Sequence, residues 1–366
     1  MPVEIIGMIG VKPEGADGAA VHVIGGAIDT QWIRAFAQAH EKADFDRVLV
    51  GYTSTSAEGF AVAGYAAAHT ERLSYLIAHR PGFVAPTLTA RAAATLDHVT
   101  NGRVALHIIT GGSDAEQERD GDWLDHDTRY RRTDEYLGVL RRMWTSPEPF
   151  DHEGEFYRFA KAFTEVKPLQ PNGIPLYFGG ASGPAAGVAA KHCDVYAVWG
   201  EPLAAVKQRI ADIREKAAAF GRTPRISVSL RPIIAPTEAE AWDRARRILS
   251  KVKQTGRHIV GEGPGIRPQA VGAQRLVEFA REAEVHDKRL WTAIAAAMGG
   301  AGNTTALVGT PEQVAESLLD YYDVGCTTLL IRGFDPLNDA LDYGRELIPL
   351  VRAEVARRDR ATMVSA

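Results

Sequence analysis

The 366-residue chain reads as an α/β protein built on one closed (β/α)8 TIM barrel with insertions. Two observations predict this. Short apolar runs alternate with longer amphipathic stretches along the whole chain, which calls for a parallel sheet with helical crossovers. The runs also show little polar alternation, as strands do when both faces are buried. Eight such units favour closure into a barrel; an open doubly wound sheet is the alternative. A length near 370 would suit two domains at roughly 150 residues each, but barrels run longer as one unit.

The predicted strands are Glu4–Ile9, Arg47–Gly51, Leu73–Ala78, Val104–Thr110, Leu176–Gly180, Asp194–Trp199, Ile226–Ile234 and Thr327–Arg332. Helical patterns between them include Thr30–Lys42, Pro86–Thr100, Thr133–Trp144, Leu203–Phe220, Glu238–Val252 and Pro311–Val324. Thr310-Pro311-Glu312-Gln313 places a capping threonine before proline and glutamine, a capping box with its φ already set. In Thr133–Trp144 the residues Leu137, Leu140 and Trp144 share one stripe. Two stretches break the rhythm. Residues 146–165, around Phe150–Tyr157, suggest a small hairpin insertion. Residues 253–305 form a long, glycine-rich insertion before the last strand, of the kind that usually serves as a lid. A helix over Gln274–Glu284 is expected to pack over the barrel mouth.

Composition narrows the function classes. Apolar residues make up 45% and charged residues 24%, with a net charge of −4, so no concentrated basic face points to nucleic acid. Clusters such as Arg129–Arg132 and Arg357–Arg360 read as solvated helix faces. The two cysteines, Cys193 and Cys326, support neither a disulfide framework nor a structural zinc site, and read as small core residues. There is no signal-peptide pattern at the N-terminus and no apolar run long enough to span a membrane. A cytoplasmic protein is expected.

Active sites of barrels form at the C-terminal ends of the strands. Here those ends carry Gly51-Tyr52, His79-Arg80, Thr110-Gly111-Gly112, Gly179-Gly180-Ala181-Ser182, Trp199-Gly200-Glu201, Arg231 and Arg332-Gly333-Phe334. Small residues let a ligand approach the backbone, and arginines suggest an anionic group. Gly179–Ser182 precedes a helix, Ala185–Lys191, whose free N–H groups and the Ser182 hydroxyl would suit a phosphate. A tight turn that needs glycine only for its geometry explains the same residues. Gly261-Glu262-Gly263-Pro264-Gly265 follows no strand and has the wrong spacing for a dinucleotide fingerprint; it reads as loop. His126 and Tyr130 lie i, i+4 at a helix start and can face one ligand, or simply solvent. No metal-ligand spacing and no Gly-x-Ser-x-Gly nucleophile motif occurs. Catalysis is therefore expected to rest on a cofactor that the protein positions and shields.

Several segments, in order, carry a resemblance. They are Thr100–Val104 leading into Ile108–Gly111, Leu124–Tyr130, Leu176–Ser182, Trp199–Pro202 and Leu307–Pro311. The series resembles the bacterial luciferase-like flavin monooxygenases and, among them, most of all the alkanesulfonate monooxygenase group. It covers roughly residues 30–250 and 300–355. The resemblance implies a (β/α)8 barrel that takes reduced FMN (FMNH2) from a separate NAD(P)H:flavin reductase. It further implies binding of O2 and oxygenation of a small substrate through a flavin peroxide. Thr110, His126, Tyr130, Gly180, Ala181 and Ser182 would bind the cofactor, with Tyr130 and Ser182 on the phosphate. Trp199 would line the flavin pocket, and Arg80 would approach it from the third strand. A homodimer or homotetramer is expected.

The substrate half departs from that group. Where the group carries a cysteine after strand two, an arginine and a histidine on strand seven, a lid arginine, and a tyrosine and a histidine after strand eight, this chain has Ser56, Ser229 and Arg231, Met298, and Phe334 and Pro336. A simple alkanesulfonate is therefore not the expected substrate. Arg231 and Arg332 are candidates for binding an anionic, organosulfur-like group, since guanidinium holds carboxylate or sulfonate oxygens in pairs; a surface salt bridge is the alternative for each. His79 is a candidate acid/base, its ordinary pKa lying near neutrality, or else a structural histidine. Two rival readings share the barrel: a deazaflavin (F420) or FMN oxidoreductase, and a non-catalytic flavin-binding protein.

Overall fold

The computed structural model describes residues 3–13, 27–255 and 267–365. Eight parallel strands close into a barrel: β1 (Glu4–Ile9), β2 (Arg47–Val50), β3 (Ser74–His79), β4 (Val104–Ile108), β5 (Leu176–Gly179), β6 (Val195–Trp199), β7 (Arg225–Ile234) and β8 (Cys326–Ile331). Each pairs with the next, and β8 returns to β1 through Glu4–Thr328 and Ile6–Leu330. Pairing of β6 with β7 completes the ring, which removes the open-sheet alternative. All eight predicted strands are barrel strands.

The burial of these strands explains their composition. Ile6, Leu76, Ala105, Tyr177 and Val195 pack inside the barrel. A larger layer, including Tyr75, Ile77, Leu106, Phe178 and Val228, packs between the sheet and the helices. With apolar contacts on both sides, the strands have no polar face to show. The lower end is tied by Glu4, whose carboxylate accepts from Arg47 Nε at 3.0 Å, Tyr177 Oη at 2.8 Å and Thr328 Oγ1 at 3.0 Å.

Three strands escaped the sequence reading, all in one side layer. Ala306–Gly309 runs parallel to the second half of β7, pairing Ala306 with Arg231 and Gly309 with Ile234. The ten-residue β7 thus serves the barrel with its first half and a side layer with its second. Two short antiparallel strands, Val285–His286 and Leu290–Trp291, extend that layer. Ile233, Trp291, Ile294, Met298, Val308 and Phe334 form its own apolar cluster.

The helix start read at His126 and the stripe read over Thr133–Trp144 belong to one helix, which runs from His126 to Thr145. Its first two turns are polar, so a search for an apolar stripe passes over them. Asp125 caps it, accepting from Thr128 N at 3.0 Å. The capping box at Thr310 forms with both of its hydrogen bonds. Phe150–Glu153 and Arg158–Ala162 make an antiparallel hairpin. Glu135 of the His126–Thr145 helix holds it by accepting from Phe156 N and Tyr157 N, each at 2.9 Å. In the stretch expected to form a lid, the helix spans Val271–Glu282, three residues earlier than predicted. The Gly261–Gly265 loop reading lies outside the described residues.

Candidate functional site

A cavity of about 360 Å³ opens at the C-terminal mouth of the barrel, within the range of roughly 300–1,000 Å³ common for small-molecule and cofactor sites. It is lined by nine of the eleven residues expected from the sequence: Arg80, Thr110, His126, Tyr130, Gly180, Ala181, Ser182, Trp199 and Arg332.

One side of the mouth gathers hydrogen-bond donors. Ser182 caps the Gly183–His192 helix, its hydroxyl accepting from Ala185 N at 3.3 Å. Tyr130 projects from the neighbouring His126–Thr145 helix to bond Ser182, and burial raises its phenol above the usual range, so it stays a neutral donor. Gly180 has φ of +155°, and a Cβ there would stand 2.6 Å from Ala185 Cβ and 3.3 Å from the Tyr130 hydroxyl. Glycine is thus required for the turn, and its absent side chain also keeps the space before Tyr130 open. The tight-turn reading of this segment is met. Arg209, which the sequence reading did not single out, lines the same wall. It donates to the Gly180 carbonyl at 3.3 Å and to Tyr196 Oη at 2.6 Å, and Tyr196 Oη donates to the same carbonyl at 2.6 Å. The helix start, two hydroxyls and a guanidinium fit a phosphate.

The remaining walls come from other strand ends. Thr110 is buried, with Oγ1 3.2 Å from Thr133 Oγ1. His126 lies beside Tyr130, ring centroids 4.8 Å apart, with Nδ1 2.7 Å from Asp127. Arg80 stacks 4.6 Å over Tyr52 and pairs with Glu116, so its charge is already met by a carboxylate. Trp199 faces Gly272, whose missing Cβ would sit 3.3 Å from the indole. Ala270, Val271 and Gly272 thereby form part of the cavity wall. Arg275 of the same helix anchors the segment by a two-point bond to the buried Glu201, at 2.8 and 2.5 Å. Glu201 was noted only as a strand end. A buried carboxylate that must meet a guanidinium is a signal visible only once the partner is in view.

Two expected residues do not reach the cavity. His79 is buried on the helix side of β3, where Nε2 lies 2.7 Å from Tyr136 Oη and 3.4 Å from Thr89 Oγ1. Burial lowers its pKa to about 4. The alternation of side chains along a strand explains the misplacement: Arg80 faces inward, so His79 faces out. Arg231 is fully buried, with Nε donating to Asn303 O at 3.2 Å and its guanidinium 4.6 Å from the Phe334 ring. Burial and the nearby Arg332 hold its pKa well below the usual value. It braces the connection after β8 and lines no part of the cavity. Of the altered positions, Met298 and Phe334 fill the apolar side cluster. Pro336 starts a helix, and Ser56 closes a turn on Thr53. Only Ser229 reaches the cavity, where Asn303 donates to its Oγ at 2.5 Å.

Both cysteines are buried, and burial pushes each thiol up to about 12, which suits the core role read from the sequence. Among the described residues, no cluster of three or more His, Cys, Asp or Glu could hold a metal ion, and no helix is long and apolar enough to cross a membrane.

A parallel barrel with a cavity at the C-terminal ends of its strands is the usual frame of a barrel enzyme, and comparison places the chain in one family of them. The luciferase-like monooxygenase family model matches residues 10–328. The chain belongs to that family. Solved structures with the same fold include a riboflavin lyase with modified FMN and riboflavin (TM-score 0.76, 18% identity, covering 97% of this chain and 92% of that one). EDTA monooxygenase from Chelativorans sp. BNC1 is similar at TM-score 0.75 and 18% identity, covering 97% and 94%. An F420-dependent secondary alcohol dehydrogenase follows the fold at TM-score 0.69 and 19% identity, covering 96% and 99%.

Proposed function

We propose that this chain is an FMNH2-dependent monooxygenase that uses O2 to oxygenate a small polar or anionic substrate, organosulfur compounds among the candidates. A separate NAD(P)H:flavin reductase would supply the reduced flavin, and a cytoplasmic setting suits such a pair. The observation that carries the reading is the cradle of Gly180, Ser182, Tyr130 and Arg209 at the rim of the barrel-mouth cavity, with a second cationic residue, Arg332, in its wall.

Ser182 Oγ, Tyr130 Oη and Arg209 would hold the phosphate, and Thr110 and Trp199 would border the ring system. When bound, reduced flavin supplies the electrons that activate O2. The protein's part is to orient both reactants and to exclude water. Ala270–Gly272, docked on Trp199 and tied down through Arg275 and Glu201, serves the second purpose. Neither His79 nor Arg231 is assigned a catalytic role.

Oxygen uptake separates this reading from its rivals. With FMNH2 present, addition of substrate is expected to couple O2 consumption to product. Oxidation of reduced F420 with no O2 requirement would instead support the deazaflavin oxidoreductase. Flavin binding with no product from any substrate would support a binding protein.

A further inference from the structure

Arg332 stands at the end of β8 and lines the cavity. Its hydrogen bonds go to uncharged acceptors, the Gly302 carbonyl and Met8 Sδ at 2.9 Å. Its Nε is buried with no partner. Among the described residues no carboxylate pairs with it, and the nearby Asp339 is engaged by Arg244. Burial lowers its pKa to about 10, which leaves it a cation at neutral pH. A second buried guanidinium, Arg231, lies close enough to feel its charge. A cation with no counter-ion in a low-dielectric wall costs stability, and an incoming anion relieves that cost.

Across the barrel, four strands away in a ring of eight, β4 carries His107. Its neighbours at positions 105 and 109 also face inward, and its imidazole lines the cavity against Gly179. Nδ1 is buried with no hydrogen-bond partner. Burial lowers the ring's pKa to about 4, so it offers one donor and one acceptor rather than a charge. An unmet buried polar atom is destabilising, and a polar ligand group would relieve that cost.

We propose that Arg332 and His107 form a two-point substrate subsite across the barrel, Arg332 taking the oxyanion head of a small organic acid and His107 hydrogen-bonding a polar group toward its other end. The subsite deepens the monooxygenase reading and rests on it only for what happens to the bound acid. The ligand class is a sulfonate, sulfinate or carboxylate on a short chain with a hydroxyl or similar group.

Calorimetric titration of the flavin-free protein tests this. The probes are straight-chain sulfonates of two to four carbons and their ω-hydroxy counterparts. Wild type is expected to bind at least one hydroxylated member more tightly than its plain counterpart. Arg332→Met should weaken every probe by roughly tenfold or more, since charge-assisted bonds are lost, and Arg332→Lys should recover part of the affinity. His107→Phe should abolish the hydroxyl preference while plain sulfonates bind within about twofold of wild type, which also shows that the variant is folded. Unchanged affinity in Arg332→Met overturns the oxyanion assignment. A hydroxyl preference that is absent in wild type or survives in His107→Phe overturns the second point. The probes contain no flavin, and the Tyr130→Phe/Ser182→Gly protein should bind them as wild type does. Failure of the flavin reading therefore leaves these results unaffected, whereas sulfonate binding lost in that double variant and kept in Arg332→Met would put the head at the phosphate cradle instead.

Discussion

Replacing Tyr130 by Phe and Ser182 by Gly removes two hydroxyls from the cradle while keeping the ring packing and the turn. Glycine is chosen because Ser182 caps its helix through Ala185 N at 3.3 Å, and a cap changed to glycine loses only a few tenths of a kcal/mol, against about 1 for alanine. Hydrogen bonds to a charged group are worth about 1.5–3 kcal/mol each. Two of them correspond to about 3–6 kcal/mol, or roughly 10²–10⁴-fold in affinity. The loss should be specific to the phosphate. Anaerobic titration with reduced FMN and with reduced riboflavin, followed by protein fluorescence, reads the difference. Wild type is expected to favour FMN strongly, and the double variant should lose roughly 10²–10⁴-fold of that preference, keeping only what Arg209 and the helix start provide. An FMN preference undiminished in the double variant would refute the cradle, and an equal loss for both flavins would show that the substitutions had damaged the pocket as a whole.

His79→Ala should leave reduced-FMN affinity unchanged and lower stability by about 1–3 kcal/mol, because Tyr136 and Thr89 lose a buried partner; a denaturant midpoint unchanged together with a collapsed turnover would return His79 to the site. The buried His40 and His79 and the half-buried His107 each have a folded pKa near 4, below an unfolded value near 6.5. Between those values the unfolded chain holds more protons, so stability present above about pH 6.5 is lost as pH falls toward 4, by on the order of 3 kcal/mol per histidine over the whole window. Urea midpoints that stay flat or rise on acidification would contradict this. Gly300 has φ of +79°, and a Cβ there would meet the Ala273 carbonyl at 2.3 Å. Gly300→Ala should therefore displace the Val271–Glu282 helix and lower product formed per O2 consumed; full coupling in that variant would argue against a water-excluding role.

The barrel was legible because strands buried on two faces leave an unbroken apolar run, and helices covering them leave a stripe. Ala306–Gly309 was not, since four residues beside β7 gain their meaning from a partner strand that does double duty. The polar start of the His126–Thr145 helix was readable from its Asp125 cap rather than from periodicity. At the site, residues tied to a strand end by local motif, such as Gly180, Ser182 and Trp199, line the cavity. His79 and Arg231 were chosen by chemistry alone, and the pleat turned one toward the helices while burial enclosed the other. Arg209, Glu201 and His107 were passed over because a helix surface, a loop and a strand interior carry no marker until tertiary contacts form.

Mass spectrometry of products formed under 18O2 tests the central claim most directly. Incubation of the protein with FMNH2 and a panel of short sulfonates, sulfinates and carboxylates is predicted to yield at least one product carrying a single 18O atom from O2, with formation dependent on substrate and reduced by Arg332→Met. Turnover of that panel without 18O incorporation, or with label arriving only from H2 18O, would contradict the assignment as a monooxygenase.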